Sequence, residues 1–154
     1  MARREMRPGG SLPAIAFLAV LLVAGAGLSA AEPPVSIDLG VVVASNEGAR
    51  MDPALASIKS KLQSMFNYSS YRMLDRMKKT LAVGETGDFA LPGNRSMRVT
   101  PVPASGPKVR LAVQVMEGHK NLLTTTLGLS RGGMVLVGGP SHQNGVMILI
   151  ISAE

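Results

Sequence analysis

Residues 128–137 read Gly128-Leu129-Ser130-Arg131-Gly132-Gly133-Met134-Val135-Leu136-Val137. Two folds can be built on this stretch. Its first residues match G-x-S-x-G, the nucleophile elbow of α/β-hydrolases, where a strand stops, a helix begins and the serine oxygen stands exposed at the bend. On that reading Ser130 is a nucleophile and the chain is α/β. The residues after Ser130 decide otherwise. Gly132-Gly133 leads into Met-Val-Leu-Val, and apolar and β-branched residues in such a run favour a strand over a helix. The stretch therefore predicts strand, hairpin turn, strand, with Ser130 a turn residue.

The rest of the chain supports that choice. The hydrolase fold places an acid and then a histidine after the serine. After Ser130 the chain offers only Glu154 and His142. Triads do assemble in other chain orders on unrelated folds. The partner here would have to be His119 or His142, and both fall in predicted turns. The expectation is that the protein is not an enzyme and has no catalytic residue. A serine hydrolase using Ser130 with His119 or His142 is the alternative.

Working outward, alternation dominates. Val109, Leu111, Val113 and Val115 alternate with Lys108, Arg110, Ala112 and Gln114, which predicts a half-buried strand. Glu117 to Lys120 forms a turn, and Leu123, Thr125, Leu127 and Leu129 mark the returning strand. Further strands are predicted at Val35–Val43, Tyr71–Val83, Thr86–Leu91 and around Met97 and Val99, with a Pro92-Gly93-Asn94 turn and a loop carrying Pro101, Pro103 and Pro107. The end has two apolar runs, Met134–Val137 and Val146–Ile151, around a loop over 139–145.

One helix interrupts the strands, over about 53–66. Asp52 is a good N-cap and Pro53 suits the first helical position. Leu55, Ile58, Leu62, Met65 and Phe66 recur at helical spacing as one apolar stripe, and Asn67 is expected to end the helix in the left-handed conformation. Strands joined by short turns pair antiparallel. The predicted fold class is α+β, predominantly antiparallel β, as a sandwich or a partly open barrel with one amphipathic helix.

The first residues differ in kind. Arg3, Arg4 and Arg7 precede an uncharged run from Ser11 to Ala31, followed by Glu32-Pro33-Pro34. This is the pattern of a secretory signal peptide over 1–31, cut after Ala31. The run is also long enough to span a bilayer, which needs about 20 residues, so an uncleaved anchor is the alternative. Either way residues 32–154 are expected as a single exported β-rich domain, periplasmic or secreted, and membrane-anchored if the segment is retained. The chain has 0 cysteines. That excludes a disulfide framework, cysteine catalysis and thiolate metal sites.

Other chemistries are argued against by spacing. Gly138-Gly139-Pro140-Ser141 is glycine-rich, but no Lys-Ser or Lys-Thr follows and no helix begins, as a phosphate-binding loop requires. The methionines Met51, Met65, Met73, Met77, Met97, Met116, Met134 and Met147, with the two histidines, raise a soft-metal carrier as a further alternative, since thioethers bind Cu(I). Met73 and Met77 can share one face of a strand. Most of the others share faces with Leu and Val, where Met fills core gaps. No cofactor and no metal is expected. Arg72, Arg76 and Lys78 share one face of an alternating strand and are the candidate contact with an anionic surface. Nucleic acid is not expected, because few aromatics interleave with these cations.

The run Leu123–Leu127, Arg131–Gly139, Val146–Ile150 resembles a strand–Gly-Gly–strand pattern in the C-terminal region of bacterial secretins, the ring-forming outer-membrane channels of secretion and pilus systems. The Pro- and Gly-containing segment that follows Gly-Gly in secretins is missing, and the chain is too short to build such a channel. The resemblance implies an exported domain that presents strands to an envelope assembly. The resulting expectation is a non-enzymatic binding or assembly module of the bacterial envelope, secretion- or pilus-associated. It would engage an envelope protein partner by strand addition, through Val146–Ile151 if that run lies at a sheet edge.

Overall fold

The computed structural model describes residues 32–154 together with Gly9. The predicted signal segment, 1–31, lies outside them apart from Gly9. Residues 32–154 belong to one compact unit. The alternating stretches all become strands: β1 Val35–Ser45, β2 Ser70–Leu81, β3 Gly87–Leu91, β4 Arg95–Val102, β5 Lys108–Glu117, β6 Lys120–Ser130, β7 Gly133–His142 and β8 Gly145–Ala153. They form two four-stranded sheets, in the orders β2-β1-β8-β7 and β3-β4-β5-β6. Every strand pair is antiparallel. The result is a sandwich, with no closed barrel.

Period-2 alternation sets what each face does. On β1, Val35, Ile37, Leu39 and Val41 point inward and meet Met147, Leu149 and Ile151 of β8 and Val109, Leu111, Val113 and Val115 of β5 in the main core. The opposite face of β1 and β8 is also apolar. Val42, Ala44, Ile148 and Ile150 pack there with Leu55, Leu62 and Tyr71 in a second core under the helix. β1 and β8 are therefore covered on both faces, which explains why their sequences read as nearly continuous hydrophobic runs. Val146–Ile151 thus belongs to a central strand between β1 and β7, not an edge, and strand addition through it is ruled out.

The helical segment is less regular than its spacing predicts. Pro53–Ile58 is a 3-10 helix, and only Lys59–Met65, α1, is α-helical. Asp52 caps it as expected, its Oδ1 accepting from the Ala54 N–H at 2.9 Å. Met65 lies about 300° round from Leu62, at the margin of the apolar stripe, and is 52% exposed. The predicted left-handed stop at Asn67 does not occur: Phe66 is the C-cap, in extended conformation, and Asn67 has no positive φ. A side chain does that work instead. The Tyr71 hydroxyl donates to the Phe66 carbonyl at 2.6 Å, satisfying a group that a helix end otherwise leaves open.

Three further expectations change. Pro101 lies within β4, opposite Leu111, rather than in a loop. The 139–145 loop is mostly strand: β7 runs through a bulge after Gly138 to His142, and the turn is Gln143-Asn144. The third concerns the stretch that opened the sequence. β6 pairs with β5 in one sheet and β7 with β8 in the other. Arg131-Gly132 is therefore not a hairpin turn but the link by which the chain crosses between sheets. Gly132 has φ +76, and its N–H donates to the Ala153 carbonyl at 2.7 Å. A Cβ on Gly133 would lie 2.7 Å from the Ser130 carbonyl oxygen. Both glycines are needed for a crossing this tight.

Candidate functional site

Ser130, expected in a turn, is the exposed last residue of β6, paired with Lys108 just before the crossing. His119 lies in the turn at the other end of β6, about 35 Å away at strand rise. His142 ends β7, a strand's length from the same crossing. The structure brings neither histidine to Ser130, because the serine and the imidazoles sit at opposite ends of extended strands. Among the described residues no cluster of three His, Asp or Glu is placed to hold a metal. The thioether pairing at Met73 and Met77 also fails. Met77 packs against the main core and Met73 against the core under the helix, on opposite faces of the sheet.

The cause is a β-bulge. Between Val41 and Val42 the β1–β2 register slips: Val41 faces Asp75, Val42 faces Met73, and Leu74 is left over. An extra residue reverses the phase of everything beyond it. The same slip divides the basic cluster. Arg76 and Lys78 lie opposite Gly40 and Asp38, on the outer face of the sheet, whereas Arg72 lies opposite Val43, on the inner face. The expected common face of Arg72, Arg76 and Lys78 does not form. Arg76 is moreover engaged. Its Nε and Nη2 donate to Asp38 at 3.0 and 2.8 Å, and hydrogen bonding and charge attraction from Asp38 raise its pKa above the usual arginine value. Nothing in this arrangement favours an anionic surface through these three residues.

Lys79 and Asp75, which interrupt the apolar alternation of β2, lie on its inner face, opposite Ile37 and Val41. Lys79 Nζ sits 5.2 Å from the centre of the Phe89 ring and donates to the Asp88 carbonyl. The lysine closes the open side of the sandwich between β2 and β3, and its ammonium over the ring adds a cation–π contact.

Arg72 enters a cleft of about 460 Å³. The cleft stands on the inner face of the β1–β2–β8 sheet, at its Ser45 end. Val43, Ser45, Ser70, Arg72 and Gly145 form its floor, and the Glu47–Arg50 loop and the Gln143-Asn144 turn form its walls. Asn144 Nδ2 donates to Glu47 Oε1 at 2.7 Å, joining the two walls. Arg72 Nη2 reaches Gln143 Oε1 at 3.5 Å. A Cβ on Gly145 would lie 2.0 Å from the Ala44 carbonyl oxygen, so this turn sits directly against β1. Neither Arg50 nor Arg72 forms an ion pair among the described residues. Sequence reasoning missed this cleft, since nothing local marks the bulge that turns Arg72 into it.

The free edges complete the surface. β2, β3, β6 and β7 are the outermost strands. β2 carries Arg72, Asp75, Arg76, Lys78, Lys79 and the bulge, and β3 has only 5 residues. β7 contains a bulge and Pro140. Each of these features discourages pairing with another strand. β6 also slips register, leaving Leu122 over near its start, but beyond that residue it pairs with β5 without interruption from Leu123 to Ser130 and contains no proline. It is 11 residues long, with Lys120 its one charge.

The fold and surface define an antiparallel two-sheet sandwich with a helix laid on one face. No family model matches the chain, and no curated protein matches it. Among solved structures it is similar to the T2SS secretin XcpQ from Pseudomonas aeruginosa, at 11% identity and a TM-score of 0.28, over 78% of this chain and 55% of the secretin chain. That is a distant resemblance, and no property of the secretin passes to this chain on its strength. Among the described residues no helix is long and apolar enough to cross a membrane.

Proposed function

We propose that this chain is an exported, non-catalytic binding module of the bacterial envelope, and that it takes up an extended segment of a secretion- or pilus-associated partner protein along the free edge of β6. The observation that carries this reading is the contrast between β6 and the other edges. The Leu123–Ser130 stretch of β6 is a regular edge with no charge and no proline, whereas β2 is heavily charged, β3 is short and β7 is interrupted by Pro140. Such a stretch is where an added strand gains main-chain hydrogen bonds at the least cost. The half-buried Leu122, Leu123 and Leu127 beside it offer apolar contact to alternate side chains of the incoming strand. Export rests on the basic start and the uncharged run Ser11–Ala31. The non-catalytic part rests on the separation of Ser130 from both histidines.

The test is co-purification of tagged full-length protein from its native envelope, with hydrogen exchange of the β6 amides read with and without the captured partner. Thr124→Lys with Thr126→Lys places charges on exposed positions of β6 and should change stability by no more than about 0.5 kcal/mol. The expected result is partner-dependent protection confined to β6, and loss of capture in the double variant. A partner that binds the variant equally, or protects a different element, overturns the proposal.

A further inference from the structure

We infer that the cleft beside Arg50 and Arg72 is a binding site for a small oxyanion of single negative charge, a carboxylate or a phosphodiester. This inference does not depend on the β6 reading. It stands on three features of the molecule. The first is the bulge at Leu74. Without it Arg72 would lie on the outer face with Arg76 and Lys78. With it the guanidinium enters a concavity on the inner face, beyond the stretch that the second sheet covers. Bulges recur where a side chain must be re-aimed toward a site.

The second feature is charge. Glu47 is the one carboxylate lining the cleft, and its Oε1 already accepts from Asn144. Arg50 and Arg72 both line the cleft and neither is paired with a carboxylate among the described residues. Two guanidinium groups against one carboxylate leave a single positive charge to be balanced. Guanidinium forks match the geometry of carboxylate and phosphate oxygens, and such charge-assisted bonds are roughly twice as strong as neutral ones.

The third feature is room and rigidity. The volume, about 460 Å³, lies within the roughly 300–1,000 Å³ of small-molecule sites. The walls are fixed: Asn144 ties the turn to the Glu47 loop, and Ser69 ties that loop to β2 through the Asn46 side chain at 3.2 Å and the Gly48 carbonyl at 2.5 Å. Ser45 and Ser70 add hydroxyl groups to the floor.

The test is a titration of the full-length protein in non-ionic detergent, followed through the side-chain Nε–Hε signals of Arg50 and Arg72. The probes are N-acetylglycine, its uncharged amide N-acetylglycinamide, and dimethyl phosphate. The expected result is saturable shifts at both arginines with at least one anionic probe and none with the amide. Whichever anion binds more tightly identifies the natural class. Arg50→Gln and Arg72→Gln should each weaken binding about tenfold, whereas Lys59→Gln, which removes an equal charge from the exposed helix, should leave it unchanged. Both arginines are exposed, so these variants are expected to melt as the parent does. Binding of the amide, loss of affinity in Lys59→Gln equal to that in the arginine variants, or no saturable shift at either arginine overturns the inference.

Discussion

Tyr71→Phe isolates one hydrogen bond of the structure. Tyr71 is fully buried in the core beneath the helix, and phenylalanine keeps its ring and its packing. Only the hydroxyl is lost. Of the carbonyls it meets, Leu62 O lies at 3.4 Å and also accepts the Phe66 N–H at 2.9 Å, so it keeps a partner. Phe66 O, at 2.6 Å, does not. The variant therefore orphans a single half-buried carbonyl. Leaving such a group unsatisfied costs about 1–3 kcal/mol, and its partial exposure puts the expectation at about 1–2 kcal/mol. For a domain spanning residues 32–154, the usual unfolding entropy per residue makes each kcal/mol about 4 °C in Tm. The fall should be about 4–8 °C. Equilibrium urea unfolding should show the same loss with an unchanged m-value. A loss below about 0.3 kcal/mol would refute the assignment of Tyr71 as the helix C-terminal partner. A loss above about 3 kcal/mol would show that the ring's packing had also changed.

The other expectations test the turns and caps. Gly145→Ala forces a Cβ to 2.0 Å from the Ala44 carbonyl and should prevent β8 from pairing with β1, read as loss of a cooperative thermal transition. Gly128→Ala, with nothing within 4 Å of the added atom, should change stability by less than about 1 kcal/mol. Asp52→Ala removes acceptors for both the Ala54 and Met73 N–H groups and should cost about 2 kcal/mol in urea unfolding. Asp52→Asn, which keeps one side-chain oxygen, should lose less. A fluorophosphonate should label neither the parent nor Ser130→Ala, and labelling that disappears in the variant would revive the hydrolase alternative.

Much of the fold was legible because alternation and capping are local. Val35 to Leu39 and Lys108 to Val115 alternate because one side of each stretch meets the main core. Asp52-Pro53 starts a helix because a short acceptor and a missing N–H suit that position wherever it occurs. These features let the sequence alone determine eight strands, one helical segment and a predominantly antiparallel fold. They also explain why no helix follows Ser130: two glycines before a β-branched run do not start one, although Ser130 itself ends β6 rather than lying in a turn.

What only the tertiary structure decided is which strands meet and in which phase. The residues of 128–137 are the same whether β6 and β7 pair as a hairpin or part into different sheets. That choice is made because β6 is already paired in a hairpin with β5 and β7 in a hairpin with β8, and the two hairpins join different sheets. The apolar run Val146–Ile151 reads alike as an edge or a centre. It became a centre because β1 covers one side, while the helix and the opposite sheet cover its faces. The bulge at Leu74 leaves no local mark, yet it moves Arg72 from the company of Arg76 to a cleft on the other face. A strand's period is written in its own residues. Its phase against a neighbour is a property of the pair, fixed by hydrogen bonds between residues that the chain alone does not place together.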